Sequence, residues 1–237
     1  ILLLKGYGKT ALSALKKEDI KSILSDRKEG ARFFSVNRDL FFRSLGMIAI
    51  YIGFTTVSAR MGDLPLSVGS ILMQLLMIFS YFTDGFAYAG EALAGKYIGA
   101  QDRKLLNLSI KVTFRWGVIV AVLSTFAYIW GSGALVALLT DNKQVIADSS
   151  KFYHWLWIMP ALSCAAFIWD GIYVGATATS HIRNCMLLAV GGFFIAYFAF
   201  ENLLGVEALY LAFMIHVAIR SVVMWMGAKR NVYAKVH

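Results

Sequence analysis

Six stretches of apolar residues, separated by short polar segments, dominate the chain. They run from about Leu40 to Ser58, Leu66 to Ile98, Val112 to Trp130, Phe152 to Thr177, Cys185 to Leu204 and Leu209 to Met226. About 20 apolar residues in helical conformation cross the hydrocarbon core of a bilayer, so each stretch predicts a transmembrane helix. The second is long enough that it must tilt or protrude. Pro65 stands where a helix start tolerates proline, and Pro160 lies inside the fourth span. Upstream, Ala11, Leu12, Leu15, Ile20, Ile23 and Leu24 recur at roughly helical spacing among Lys16, Lys17, Glu18, Lys21 and Lys28. Residues 11 to 32 therefore read as a basic amphipathic helix on the membrane surface or as a solvated linker. Ile1 to Leu4, stopping at Lys5, look like the tail of an earlier helix, which leads us to expect further sequence upstream. The expected organisation is a helix end plus cytoplasmic linker helix over 1–36, a six-helix transmembrane bundle over 37–230, and a cytoplasmic tail over 231–237.

Composition supports this all-α, polytopic membrane reading. Of 237 residues, 59% are hydrophobic and 16% charged, and the mean hydropathy is +0.64. A soluble domain carries nearer a quarter charged residues. The net charge of +9 would suggest a nucleic-acid partner in a soluble protein. Here the basic residues sit between apolar runs, so they read as a topology signal and no nucleic acid is expected. Eighteen lie on one side of the expected membrane: nine up to Arg38, then Lys96, Arg103, Lys104, Lys111, Arg115, Arg183, Lys229, Arg230 and Lys235. Three lie on the other, Arg60, Lys143 and Lys151, while Arg43 and Arg220 fall within spans. Cytoplasmic loops carry the excess of Lys and Arg, which predicts both termini in the cytoplasm. Outside, the loop from Gly131 to Ser150 is expected to be long, and Tyr153, Trp155 and Trp157 read as an interfacial aromatic belt.

Charges inside hydrocarbon cost at least about 2.5 to 3.5 kcal/mol on insertion scales, so each one asks for a reason. Arg43, Asp84, Glu91, Asp170 and Arg220 stand out, with His216 beside them. Asp170 has no basic residue within a turn or two, so it must pair with another helix, line a water-filled cavity or stay protonated. It is the first candidate for ion or substrate binding, with Gln74 and Tyr173 as polar side chains expected to join it. Asp84 lies about 27 Å along the second helix from Leu66, toward its cytoplasmic end. Arg43 enters from the same side, so the expected ion pair is Asp84 with Arg43, while Glu91 reads as an interfacial structural residue. Arg220 and His216 share a face of the last helix, with Arg220 near enough to the end to snorkel. Gln74, Ser80 and Thr83 form a thin polar stripe. Glycines at 85, 90, 95 and 99 with intervening alanines allow close helix approach. Cys164 and Cys185 form neither a metal spacing nor a disulfide framework. No phosphate-binding glycine loop, His and Cys metal cluster or nucleophile triad is recognisable, so neither an enzyme nor a cofactor or metal is expected.

Asn37-Arg38-Asp39, Gly62-Asp63, Asp84-Gly85-Phe86-Ala87, Glu91-Ala92-Leu93, Gly95-Lys96, Gly99-Ala100, Asp170-Gly171 and Gly175-Ala176 occur in an order and at spacings that carry a family resemblance. Over about residues 33 to 230 the chain resembles the multidrug and toxic compound extrusion (MATE) transporters, particularly the DinF-like branch. The resemblance implies the C-terminal of two six-helix bundles facing each other across a cleft. It further implies exchange of protons, or alternatively sodium, for organic cations and other lipophilic small molecules. The partner would be the missing N-terminal lobe on the same chain, or a second copy in a homodimer. Asp170 falls where many members carry an acid in the tenth helix of the full protein. Leu45-Gly46-Met47-Ile48 lacks the glutamate that several sodium-coupled relatives carry, which speaks against sodium through this bundle. In the DinF-like branch the main proton site is placed in the other bundle, which would make Asp170 secondary. Two other functions fit six spans: a lipid-linked oligosaccharide flippase, expected to line its cavity with several basic residues, and a non-transporting assembly module.

Overall fold

The computed structural model describes residues 27–236. The surface helix expected over 11–32 falls largely outside them, and the helix end at 1–4 entirely so. Among the described residues the chain is helical, with no strand. The helices are α1 (Arg27–Arg60), α2 (Asp63–Gly99), α3 (Arg103–Leu139), α4 (Lys143–Ser149), α5 (Tyr153–Gly175), α6 (Thr179–Leu204) and α7 (Val206–Asn231). Single 3-10 turns occur at Ser150–Phe152 and Tyr233–Lys235. All of the helices but α4 are long and apolar enough to cross a membrane, and the chain is an integral membrane protein.

The chain divides after Asp39. In the first unit, residues 33–39 continue the helix, with Asn37 Nδ2 donating to the Phe33 carbonyl at 2.8 Å. The unit from Leu40 onward is the helical bundle. Within it α5 packs along α2, α3 and α7, and α6 packs along α7. The most apolar window of α5 is 61% buried and that of α3 only 17%, which makes α5 central and leaves α3 facing lipid.

Lipid tails are as apolar as leucine, so helices associate through close packing and interhelical hydrogen bonds. Both are present. The α5 backbone at Gly171 and Gly175 lies directly against the α2 backbone at Ala87 and Glu91, and a Cβ at either glycine would overlap the facing carbonyl oxygen. Tyr128 on α3 donates its hydroxyl to the Leu75 carbonyl of α2 at 2.6 Å. Trp157 Nε1 on α5 reaches the Tyr128 carbonyl at 3.1 Å and Ser132 Oγ at 3.2 Å.

Two expectations change. The long loop from Gly131 to Ser150 is mostly helical. The apolar run Ala134 to Leu139 carries α3 onward, and α4 follows after Asn142 caps its first turn by accepting from Gln144 N and Val145 N. At the other end α3 starts at Arg103 rather than Val112, because Asp102 accepts from Leu105 N at 2.9 Å. Residues of the expected aromatic belt also bond across helices. Trp155 donates to the Glu207 carboxylate and its ring stacks on Tyr210, while Trp157 bonds to α3. Both indoles bridge helices, since an indole N–H in an apolar setting is stabilised by a partner.

Candidate functional site

Four helices turn ionisable side chains toward one another. A cavity of about 190 Å³ is lined by Arg43 from α1, Ser80, Asp84 and Glu91 from α2, Phe167 and Asp170 from α5, and Arg220 from α7. It continues into a second space of about 200 Å³, shared at Met47, Ser80, Asp84, Phe167 and Arg220 and reaching Tyr51, Tyr81 and His216. Together they form one groove that begins apolar and ends charged. Its polar part is wide enough to hold water.

Asp170 is the centre of the charge. Its Oδ2 accepts from Arg43 Nη2 at 3.0 Å and from Arg220 Nη2. Those arginines stand 127 and 50 residues away in sequence. The three possibilities for this carboxyl therefore resolve toward ion pairing across helices, inside a cavity. Its Oδ1 is buried with no hydrogen-bond partner, as are Nε of Arg43 and Nε of Arg220. The Arg220 guanidinium also lies 5.9 Å from the centre of the Phe167 ring. Arg220 does not snorkel. It is 2% exposed, because the carboxylate within the bundle offers a stronger partner than the distant interface.

The expected Arg43–Asp84 pair is not formed. Arg43 pairs with Asp170, and Asp84 has only Ser80 Oγ at 3.5 Å, the outer limit of a hydrogen bond. Among the described residues no cation lies within 4.0 Å of Asp84 or Glu91. Glu91, expected at the interface, lines the groove instead, while its backbone carbonyl is pressed against Gly175. His216 lines the apolar part and its Nδ1 is unpartnered.

Two candidates lie elsewhere. Gln74 is exposed on α2 and lines neither part of the groove. Ten residues of helix turn its side chain about 80° from the direction of Asp84. Tyr173 is buried on the α6–α7 side, where its hydroxyl donates to the Met224 carbonyl at 2.6 Å and its ring stacks on His181. The phenol needs an acceptor in hydrocarbon, and the α7 backbone supplies it. Met47, Tyr51 and Phe167 line the groove without having been singled out from the sequence; nothing in their spacing distinguishes them from lipid-facing neighbours.

The arrangement has a chemical consequence. Two arginines face three carboxylates. With all five ionised and His216 neutral, the groove holds one excess negative charge. An uncompensated charge is costlier the further it lies from bulk water, and Asp84 and Glu91 are both half-buried.

Comparison with known proteins agrees with the residues that carried the resemblance. The chain is 33% identical to DNA damage-inducible protein F of Escherichia coli (strain K12) over 189 residues, which is 80% of this chain and 41% of that protein. The chain thus spans less than half the length of this relative. The MatE family matches residues 40–198, from the start of the bundle through most of α6, and this chain belongs to that family.

Proposed function

We propose that the chain is one lobe of a secondary active antiporter that exports organic cations or other lipophilic compounds in exchange for protons, with sodium as the alternative coupling ion. The observation that carries this reading is the charge imbalance of the groove. A cavity that needs one more positive charge binds a proton or a cation, and exchange between the two is antiport. Substrate would occupy the cleft between this lobe and a second one, and alternating access would rock the lobes about it. The second lobe would come from sequence beyond this segment or from a second copy. The distribution of basic residues supports termini in the cytoplasm, and the likeness to a bacterial relative supports a bacterial inner membrane. A flippase for anionic lipid-linked sugars is less well supported, since the only arginines of the groove, Arg43 and Arg220, are already held by Asp170.

The test uses the full-length protein in lipid vesicles, with ethidium as the probe cation. An imposed proton gradient should drive its transport. Asp170→Asn should slow it on the order of tenfold while the protein still inserts. Normal transport by Asp170→Asn would sink the role of this carboxylate, and transport driven only by a sodium gradient would move the coupling to that ion.

A further inference from the structure

Asp170 is paired twice and Asp84, on the same groove, is paired with no arginine. The two arginines are also unequal. The Arg220 side chain is 3% exposed, while that of Arg43 is 25% exposed. Arg43 sits on α1, which meets the rest of the bundle through side chains such as Phe54 on Tyr210 rather than by close backbone approach. Arg43, Asp84 and Asp170 all border one space large enough to hold water.

Resting on the antiporter reading, we propose that Arg43 is an exchangeable counter-ion that alternates between Asp170 and Asp84 according to whether Asp84 carries a proton. With Asp84 protonated, Arg43 stays on Asp170, as observed. When Asp84 releases its proton to water in the groove, its carboxylate competes for Arg43. Asp170 keeps Arg220 in both arrangements, so neither carboxylate is left bare. Only an O–H bond is made or broken. The groups facing Asp84 are Arg43 and Tyr51 from α1, Asp170 from α5, His216 and Arg220 from α7, and Tyr81, Tyr88 and Glu91 from α2 itself; α3 supplies none. Because α2 and α5 are locked together at Gly171 and Gly175, the displacement falls on α1. Arg43 is thus a positioning residue, converting a proton on α2 into a shift of α1.

Infrared difference spectra of the full-length protein in vesicles, between acidic and alkaline medium, identify which carboxyl takes the proton. The protonated-carboxyl band should vanish in Asp84→Asn and persist in Asp170→Asn; the opposite result overturns the proposal. Asp84 makes a single weak contact, so Asp84→Asn should fold. The role of Arg43 is read from the pH profile of ethidium transport. Arg43→Gln should flatten the profile and Arg43→Lys should keep it. An equal loss at every pH in Arg43→Gln would make Arg43 merely structural and overturn the exchange. If proton gradients drive no transport while the Asp84 band still titrates, the antiporter reading fails and the proton site on Asp84 stands.

Discussion

The wall of the groove formed by α2 and α5 and the wall formed by α1 are held by different forces. Between α2 and α5, glycines let backbone meet backbone, so there is no side chain to rotate out of the way. Along α1 the contacts are side-chain tips: Phe54 meets Tyr210 and Phe213 edge to face, a Cβ added at Gly53 would come within 3.1 Å of the Phe194 ring, and Arg43 reaches Asp170 through a long flexible stem. Contacts of the second kind can be remade after a small shift, whereas backbone contacts of the first kind can only be broken. The difference identifies α2 with α5 as the fixed frame and α1 as the part able to respond to charge.

The largest expected effect comes from the charge that both walls share. Arg220→Met leaves a buried carboxylate with Arg43 alone and should destabilise by about 3 to 5 kcal/mol, the range for breaking a buried pair. Thermal unfolding in detergent checks it, and an unchanged midpoint would mean that Arg43 suffices. Next comes the rigid wall. Gly171→Ala or Gly175→Ala forces the two backbones apart and should cost about 1 to 3 kcal/mol each. Gly191, where an added Cβ meets nothing within 4 Å, should tolerate alanine and serves as the control. Equal tolerance at all three positions would remove the distinction between the walls. Arg43→Gln is smaller still, about 1 kcal/mol, because Asp170 keeps Arg220 and interhelical polar contacts in membranes are individually modest. Its effect should appear in transport more than in stability. Tyr128→Phe, losing the bond to the Leu75 carbonyl, should cost least, about 0.6 kcal/mol in the same unfolding measurement. A loss several times greater would place α3 within the rigid frame as well.

The spans themselves were legible because hydrocarbon imposes its length requirement on each helix separately. The ionisable residues were legible for a related reason: each is conspicuous against an apolar run whatever its partner. Pairing is a different matter. Asp170 demanded a partner, yet nothing local to Asp170 distinguished Arg43 from Arg220, and the structure uses both. The proposed Arg43–Asp84 pair rested on matching depth. Depth alone omits rotation about the helix axis, and the same omission put Gln74 and Tyr173 in the site. The helix ends near Arg103 and Leu139 were misplaced because polar capping residues and short apolar runs extend a helix beyond its hydrophobic window.

The sequence by itself determined that this protein is a set of membrane-spanning helices of the MatE family, with three carboxylates and two arginines immersed among them. Local composition suffices for that, since burial in lipid is a property each segment meets alone. Only the tertiary structure decided that Asp170 takes both arginines, that Asp84 and Glu91 share their groove without one, and that Trp155 and Tyr173 bridge helices. Those outcomes depend on how helices distant in sequence are rotated and brought together, and a charge in a low-dielectric interior is governed by whichever neighbours that packing supplies.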